Sequence, residues 1–212
     1  MELETRRQLI HMSGVVTPLY LQYAYERFST WLAPVVVLVV LISATIAVSA
    51  AYRRGMRVPI LARLIDSAER PQVKEVEPGR GTLRFFTGVL ATVVLFGVVL
   101  EAPFYVSAAG MIALAMGDSV STLAGMKLGR HRLPYNRRKS AEGTALGAAS
   151  AFAGVVVYML AQGAGVEVSL ALALASATAG MLTETLPLGV DDNLTVPLGG
   201  AAGAYAAMVI MG

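Results

Sequence analysis

Of the fourteen carboxylates in this 212-residue chain, five stand where long uncharged stretches begin or end: Asp118, Glu142, Glu184, Asp191 and Asp192. An ionisable group at the edge of an apolar run is costly to keep, so it reads as functional. Asp118 ends one such run, and Asp191-Asp192-Asn193 opens another. Together they offer hard oxygen ligands of the kind that hold Mg²⁺, which is commonly bound by one or two carboxylates with phosphates and water. Asn193 can serve the metal or a bound nucleotide. Asp191 and Asp192 also suit the N-cap of a helix starting before Leu194, because acids favour that end.

A cationic half faces these acids in the sequence. Arg137-Arg138-Lys139 leads into Ser140-Ala141-Glu142-Gly143. Ser140 suits a helix N-cap, which would leave free amide donors and the positive helix end beside three cations, a setting for phosphate oxygens. Before it, Asp118, Thr122, Gly125 and Gly129 recur at helix-compatible spacings, with Ser121 alongside. If the helix runs that far, they form a bare face past which a nucleotide can lie. His11 follows Arg6 and Arg7 at the start of the first apolar stretch; a histidine there is either a packing residue or a base.

The elements that must position these groups are apolar. The chain is 56% hydrophobic and 15% charged, with mean hydropathy +0.63, against about a quarter charged in soluble domains. Its charges are segregated between uncharged stretches, the pattern of an all-α, polytopic transmembrane helix bundle forming one domain over residues 1–212. Seven spans are expected, at about 8–25, 29–52, 85–100, 103–124, 143–162, 166–186 and 193–211. Six spans, with the first stretch lying in the interface, is the rival count. Seven spans put sixteen of the seventeen lysines and arginines on one side, leaving Arg27 opposite. That asymmetry places the N-terminus and the site in the cytoplasm. It also accounts for the basic pI without nucleic acid. The absence of cysteine excludes disulfides and thiolate chemistry.

Within the loop 53–83, Met56, Ile60, Leu61, Leu64, Ile65 and Ala68 fall at helical spacing with arginines between them, as in a helix lying on the membrane. Pro78-Gly79-Arg80-Gly81-Thr82 is expected to end that loop flexibly. Glycine and alanine recur through the last three spans, where small faces either draw helices together or leave a groove for a lipid chain.

Three segments resemble one family. Arg6-Arg7-Gln8-Leu9-Ile10-His11-Met12-Ser13-Gly14 is similar to the N-terminal signature of the CTP-dependent polyprenol kinases, a group that includes dolichol kinase, phytol kinase and a CTP-using diacylglycerol kinase. Gly117-Asp118-Ser119 through Gly125 and Gly129 to Arg138-Lys139-Ser140-Ala141-Glu142-Gly143 resembles their CTP-binding segment, and Glu184-Thr185-Leu186-Pro187 with Asp191-Asp192-Asn193-Leu194-Thr195-Val196-Pro197-Leu198 their C-terminal signature. Gln8 and Arg138 stand where many members have lysine, and Ser121 where alanine is frequent. The resemblance implies transfer of the CTP γ-phosphoryl group to a lipid alcohol, giving a lipid monophosphate and CDP. On that reading Asp118 and one or both of Asp191 and Asp192 hold Mg²⁺, while Arg137, Arg138 and Lys139 steady the phosphates. Glu184, Glu142 or His11 serves as base, and the alcohol tail enters along the small-residue grooves. The rival reactions are CDP-lipid synthesis of the phosphatidate cytidylyltransferase type and diacylglycerol phosphorylation. Outside enzymes, an ion-coupled transporter would tend to place its acids near the midplane in repeated broken helices, and no repeat is seen.

Overall fold

The computed structural model describes residues 2–56 and 77–212. They are almost entirely helical, and their lone β-type feature is an isolated antiparallel bridge between Arg132 and Ser140. The elements are α1 (Glu2–Met12), a 3₁₀ turn (Ser13–Val16), α2 (Thr17–Phe28), α3 (Leu32–Arg53), α4 (Arg80–Val99), α5 (Phe104–Leu128), α6 (Ala141–Ala161), α7 (Val166–Thr185) and α8 (Asp192–Met211). Six of them, α3 to α8, are long and apolar enough to cross a membrane. The amphipathic stretch proposed within 53–83 lies outside the described residues for most of its length.

The first apolar stretch is an interrupted helix. Pro18 lacks an amide hydrogen, so it cannot return an α-helical bond to the Gly14 carbonyl; the Thr17 amide donates there instead, and the chain tightens into a 3₁₀ turn before α2. Gly14 fits this break against α4: a Cβ there would lie 2.8 Å from the Phe85 ring. Pro78 to Thr82 does not form a flexible end to the loop. Gly79, at φ +84°, turns the chain directly into α4 at Arg80.

α5 is the central helix. In its most apolar stretch 72% of the residues are buried, and it packs against α6, α7 and α8. Asp118 does not end it. The helix continues ten residues further, to Leu128, so the acid lies within the element. Residues Ala113–Asp118 are wound as a π turn, a widened coil that frequently marks functional positions.

The small residues of the last three spans serve close packing. A Cβ on Gly147 would stand 2.7 Å from the Gly117 carbonyl oxygen of α5, and one on Gly154 would meet Ile112 at 2.8 Å. On α8, Gly200 is 3.1 Å by the same measure from the Cα of Gly110, and Gly199 and Gly203 abut Thr183 and Ala175 of α7. These faces are closed against neighbouring helices and leave no groove for a lipid tail.

Candidate active site

α5, α7, α8 and the loop 129–140 each deliver one charged group to the same point. Asp118 comes from the end of the π turn, Glu184 from the last turn of α7, Asp192 from the first residue of α8, and Lys139 from the loop. One carboxylate oxygen from each acid lies within 4.8 Å of the other two. The Lys139 Nζ sits among them, 2.5 Å from Glu184 Oε1, 2.9 Å from Asp192 Oδ2 and 4.0 Å from Asp118 Oδ1.

The loop is held rigidly enough to aim that lysine. Leu133 and Lys139 close it with a backbone bond of 3.1 Å, and Ala141 donates to the His131 carbonyl at 2.9 Å. It is pinned to the end of α7 as well, where Asn136 Nδ2 donates to the Thr185 carbonyl at 2.9 Å and Tyr135 donates to the Thr185 hydroxyl at 3.1 Å. Burial alone would lower the Lys139 pKa, but the carboxylates of Asp118, Glu184 and Asp192 outweigh it and hold the ammonium well above the ordinary lysine value.

The site is acid-rich. Three carboxylates around one ammonium leave a formal charge of about −2 if all are ionised, and buried charge is stable only when paired. Glu184 has no exposed side-chain surface; its Oε1 also accepts from Ser121 at 2.9 Å, while Oε2 is buried without a partner. A buried free oxygen beside two further carboxylates is a donor set suited to a hard divalent cation.

Asp118, Lys139 and Asp192 line a cavity of about 340 Å³, together with Glu4, Thr122, Gly125, Arg132 and Arg138, while Glu184 is buried behind that lining; the volume is within the range of small-molecule sites. Arg132 and Glu4 were not singled out in the sequence. The first belongs to an exposed loop and the second to the N-terminal turn, and neither stands out by spacing.

Several expected residues are placed differently. Asp191 caps α8: its Oδ1 accepts from the Asn193 amide at 3.1 Å and from Asn193 Nδ2 at 2.7 Å, and its Oδ2 pairs with Arg84 of α4. With both oxygens occupied by protein donors, it lines the cavity but does not join the three acids. Burial acts to raise its pKa, yet the Asn193 and Arg84 contacts prevail and hold it below the ordinary aspartate value. Glu142 faces away from the cavity, accepting from the Arg130 and His131 amides at 3.2 Å and pairing with the His131 ring. Arg137 is exposed and lies outside the cavity lining.

Ser140 is the N-cap of α6, accepting from Gly143 at 3.2 Å. The glycine face of α5 is occupied by this same junction. A Cβ on Gly143 would be 2.7 Å from the Ser121 carbonyl oxygen, and one on Gly125 3.3 Å from Ser140 Oγ. Gly125 and Gly143 therefore bring α5 and α6 together, while Ser121, Thr122, Gly125 and Ser140 still line the cavity. His11 joins the acids from the other side, its Nε2 3.6 Å from Asp118 Oδ2 and its ring edge-on to Phe85.

Comparison with known proteins points in one direction. Over 101 residues, 47% of this chain and 43% of the relative, the chain is 36% identical to a protein named phytol kinase from Synechocystis sp.. Over 115 residues, 51% of this chain and 36% of the relative, it is 32% identical to one named probable phytol kinase 3, chloroplastic, from Glycine max. The matched segments thus span less than half the length of either relative. No family model matches the chain, and no solved structure matches it.

Proposed function

We propose that this chain is a membrane-embedded kinase that transfers the γ-phosphoryl group of CTP to the hydroxyl of an isoprenoid alcohol, giving a prenyl monophosphate and CDP. The observation that carries the reading is the convergence of Asp118, Glu184 and Asp192 on Lys139 at the wall of a cavity bordered by Arg132 and Arg138. The likeness to two phytol kinases supports the class of acceptor. The positive-inside bias of the sequence puts this end of the bundle in the cytoplasm, where nucleotide is available.

Phosphoryl transfer asks for in-line positioning and neutralisation of charge on the phosphates. Asp118, Asp192 and the free oxygen of Glu184 would hold Mg²⁺, which when bound supplies positive charge to the β- and γ-phosphate oxygens. Arg132 and Arg138 meet the outer phosphate oxygens from the mouth, where the planar guanidinium suits bidentate contact. Lys139 takes the remaining negative charge close to the acids. Ser121 fixes Glu184, and the loop bonds to Thr185 keep Lys139 on the same side as the metal ligands.

The alcohol oxygen forms a bond to the γ-phosphorus as the bond from that phosphorus to the β,γ-bridging oxygen breaks. CDP leaves with the electron pair. The hydroxyl proton passes to His11, whose Nε2 is buried without a hydrogen-bond partner and can accept in the Nδ1–H tautomer. Glu184 is already engaged by Lys139 and Ser121, and Glu142 lies outside the cavity, so neither competes for that role.

The test is transfer of label from γ-labelled CTP to a panel of prenyl alcohols and diacylglycerol by the purified chain, with ATP in parallel. Label in a prenyl phosphate is the expected result. Label released in pyrophosphate would identify cytidylyl transfer and overturn the proposal. Asp118→Asn is expected to remove turnover while the protein still elutes as a folded species in detergent.

A further inference from the structure

Beside the polar cavity lies a second one of about 300 Å³, between the interrupted helix α1–α2 and the start of α4. Its walls are largely apolar, with Ile10, Val16, Tyr20, Phe85 and Phe86 among them. Arg7 and Asn193 line both cavities, so the two meet at a shared boundary. On that boundary stands His11, lining the apolar side and reaching Asp118 on the polar side. Asn193 adds an acceptor there: its amide nitrogen is taken by Asp191, while Oδ1 is buried and has no partner.

We infer that the isoprenoid chain of the acceptor alcohol is seated in this α1–α2/α4 cavity, with its hydroxyl at the His11–Asn193 boundary. The inference rests on the kinase reading above, and it names where the lipid lies. A primary alcohol needs an apolar path ending at one polar point beside the phosphate site, and this cavity meets both conditions. The competing path, along the small-residue faces of α6 to α8, is filled by neighbouring helices. Val16 is 53% exposed and Ile10 37% exposed, so the apolar rim is open and the rest of a long chain can continue into lipid. At about 300 Å³ the cavity is at the small end of ligand sites, which suits the head of the chain. Reading of the alcohol is therefore concentrated on the units nearest the hydroxyl.

The test uses the full chain in nanodiscs and a prenyl alcohol carrying a diazirine on its tail. Adducts on peptides of α1–α2 and the first turns of α4, competed by excess unlabelled alcohol, are expected. Adducts on α6 to α8 would overturn the assignment. Val16→Trp and Thr82→Trp narrow the cavity from exposed positions. Each is expected to raise KM for the prenyl alcohol several-fold with KM for CTP unchanged, and an unchanged alcohol KM in both would overturn it. The two readings fail separately. Transfer to the alcohol with adducts elsewhere defeats the lipid seat alone, whereas competed adducts in this seam without any transfer uphold the seat and defeat the kinase.

Discussion

The Lys139 ammonium lies 2.9 Å from Asp192 Oδ2, across 53 residues of sequence, and it stands where the three acids of the site converge. A cation already occupies the ground that a metal would share. The protein therefore balances its acidic cluster internally before any ligand arrives.

Removing that balance has a measurable cost. Lys139→Met leaves three carboxylates facing one another, and loss of one member of a buried ionic group typically costs about 3–5 kcal/mol. Thermal unfolding in detergent should show that drop, and millimolar Mg²⁺ should restore the variant more than it stabilises the wild type. Equal shifts in both would mean that the acids do not bind the ion.

The two candidate glutamates separate kinetically. A general base or metal ligand is expected to cost at least ~10²-fold on removal, so Glu184→Gln should lose that much kcat. Glu142→Gln, whose partners are Arg130 and His131 on the loop, should stay within about tenfold of wild type on the same scale. The reverse ranking would return Glu142 to the reaction.

Asp191 makes an acid-range prediction. Its pKa is lowered on folding by Asn193 and Arg84 against the effect of burial. Its contribution is thus fully present above the ordinary aspartate pKa and is lost as pH falls through the lower folded value. Wild type and Asp191→Asn should differ in unfolding temperature at neutral pH and converge in strong acid. A constant gap would sink the pairing.

Ser140→Ala removes the N-cap of α6 and is expected to cost about 1 kcal/mol. Gly147→Ala is expected to cost about 1–3 kcal/mol, because its Cβ meets the backbone of Gly117 and must push α5 and α6 apart. Since Gly117 precedes Asp118, this variant should also lose activity beyond what its stability explains, measured at a temperature where it remains folded.

Much of the bundle was legible because apolar runs of about 20 residues admit few alternatives in lipid. Helices α3 and α6 to α8 begin and end close to where hydropathy puts them. The meeting of Asp118, Lys139 and Asp192 was foreseen from acids and cations at the edges of those runs. The division of labour among the acids was not. Asp191 and Asp192 are adjacent and chemically identical, and one caps a helix while the other faces the lysine because of Arg84, a partner 107 residues away. Glu142 looked like part of the cluster because it opens α6, but a first-turn side chain can turn to either side, and here the loop amides claim it. Glycine spacing was equally silent on whether a bare face is open or filled, since that depends on the helix opposite.

The π turn at Ala113–Asp118 stores slack in the chain as well as shape. A π turn is an α-helix carrying a surplus residue, which the widened coil takes up locally. Deleting that residue would rewind the stretch to the ordinary pitch and leave the turns on either side nearly in phase. The same deletion in a regular stretch of α5 would swing everything after it by roughly 100° about the axis. This is therefore the one place along the helix where a residue can be taken out without turning the end that meets α6.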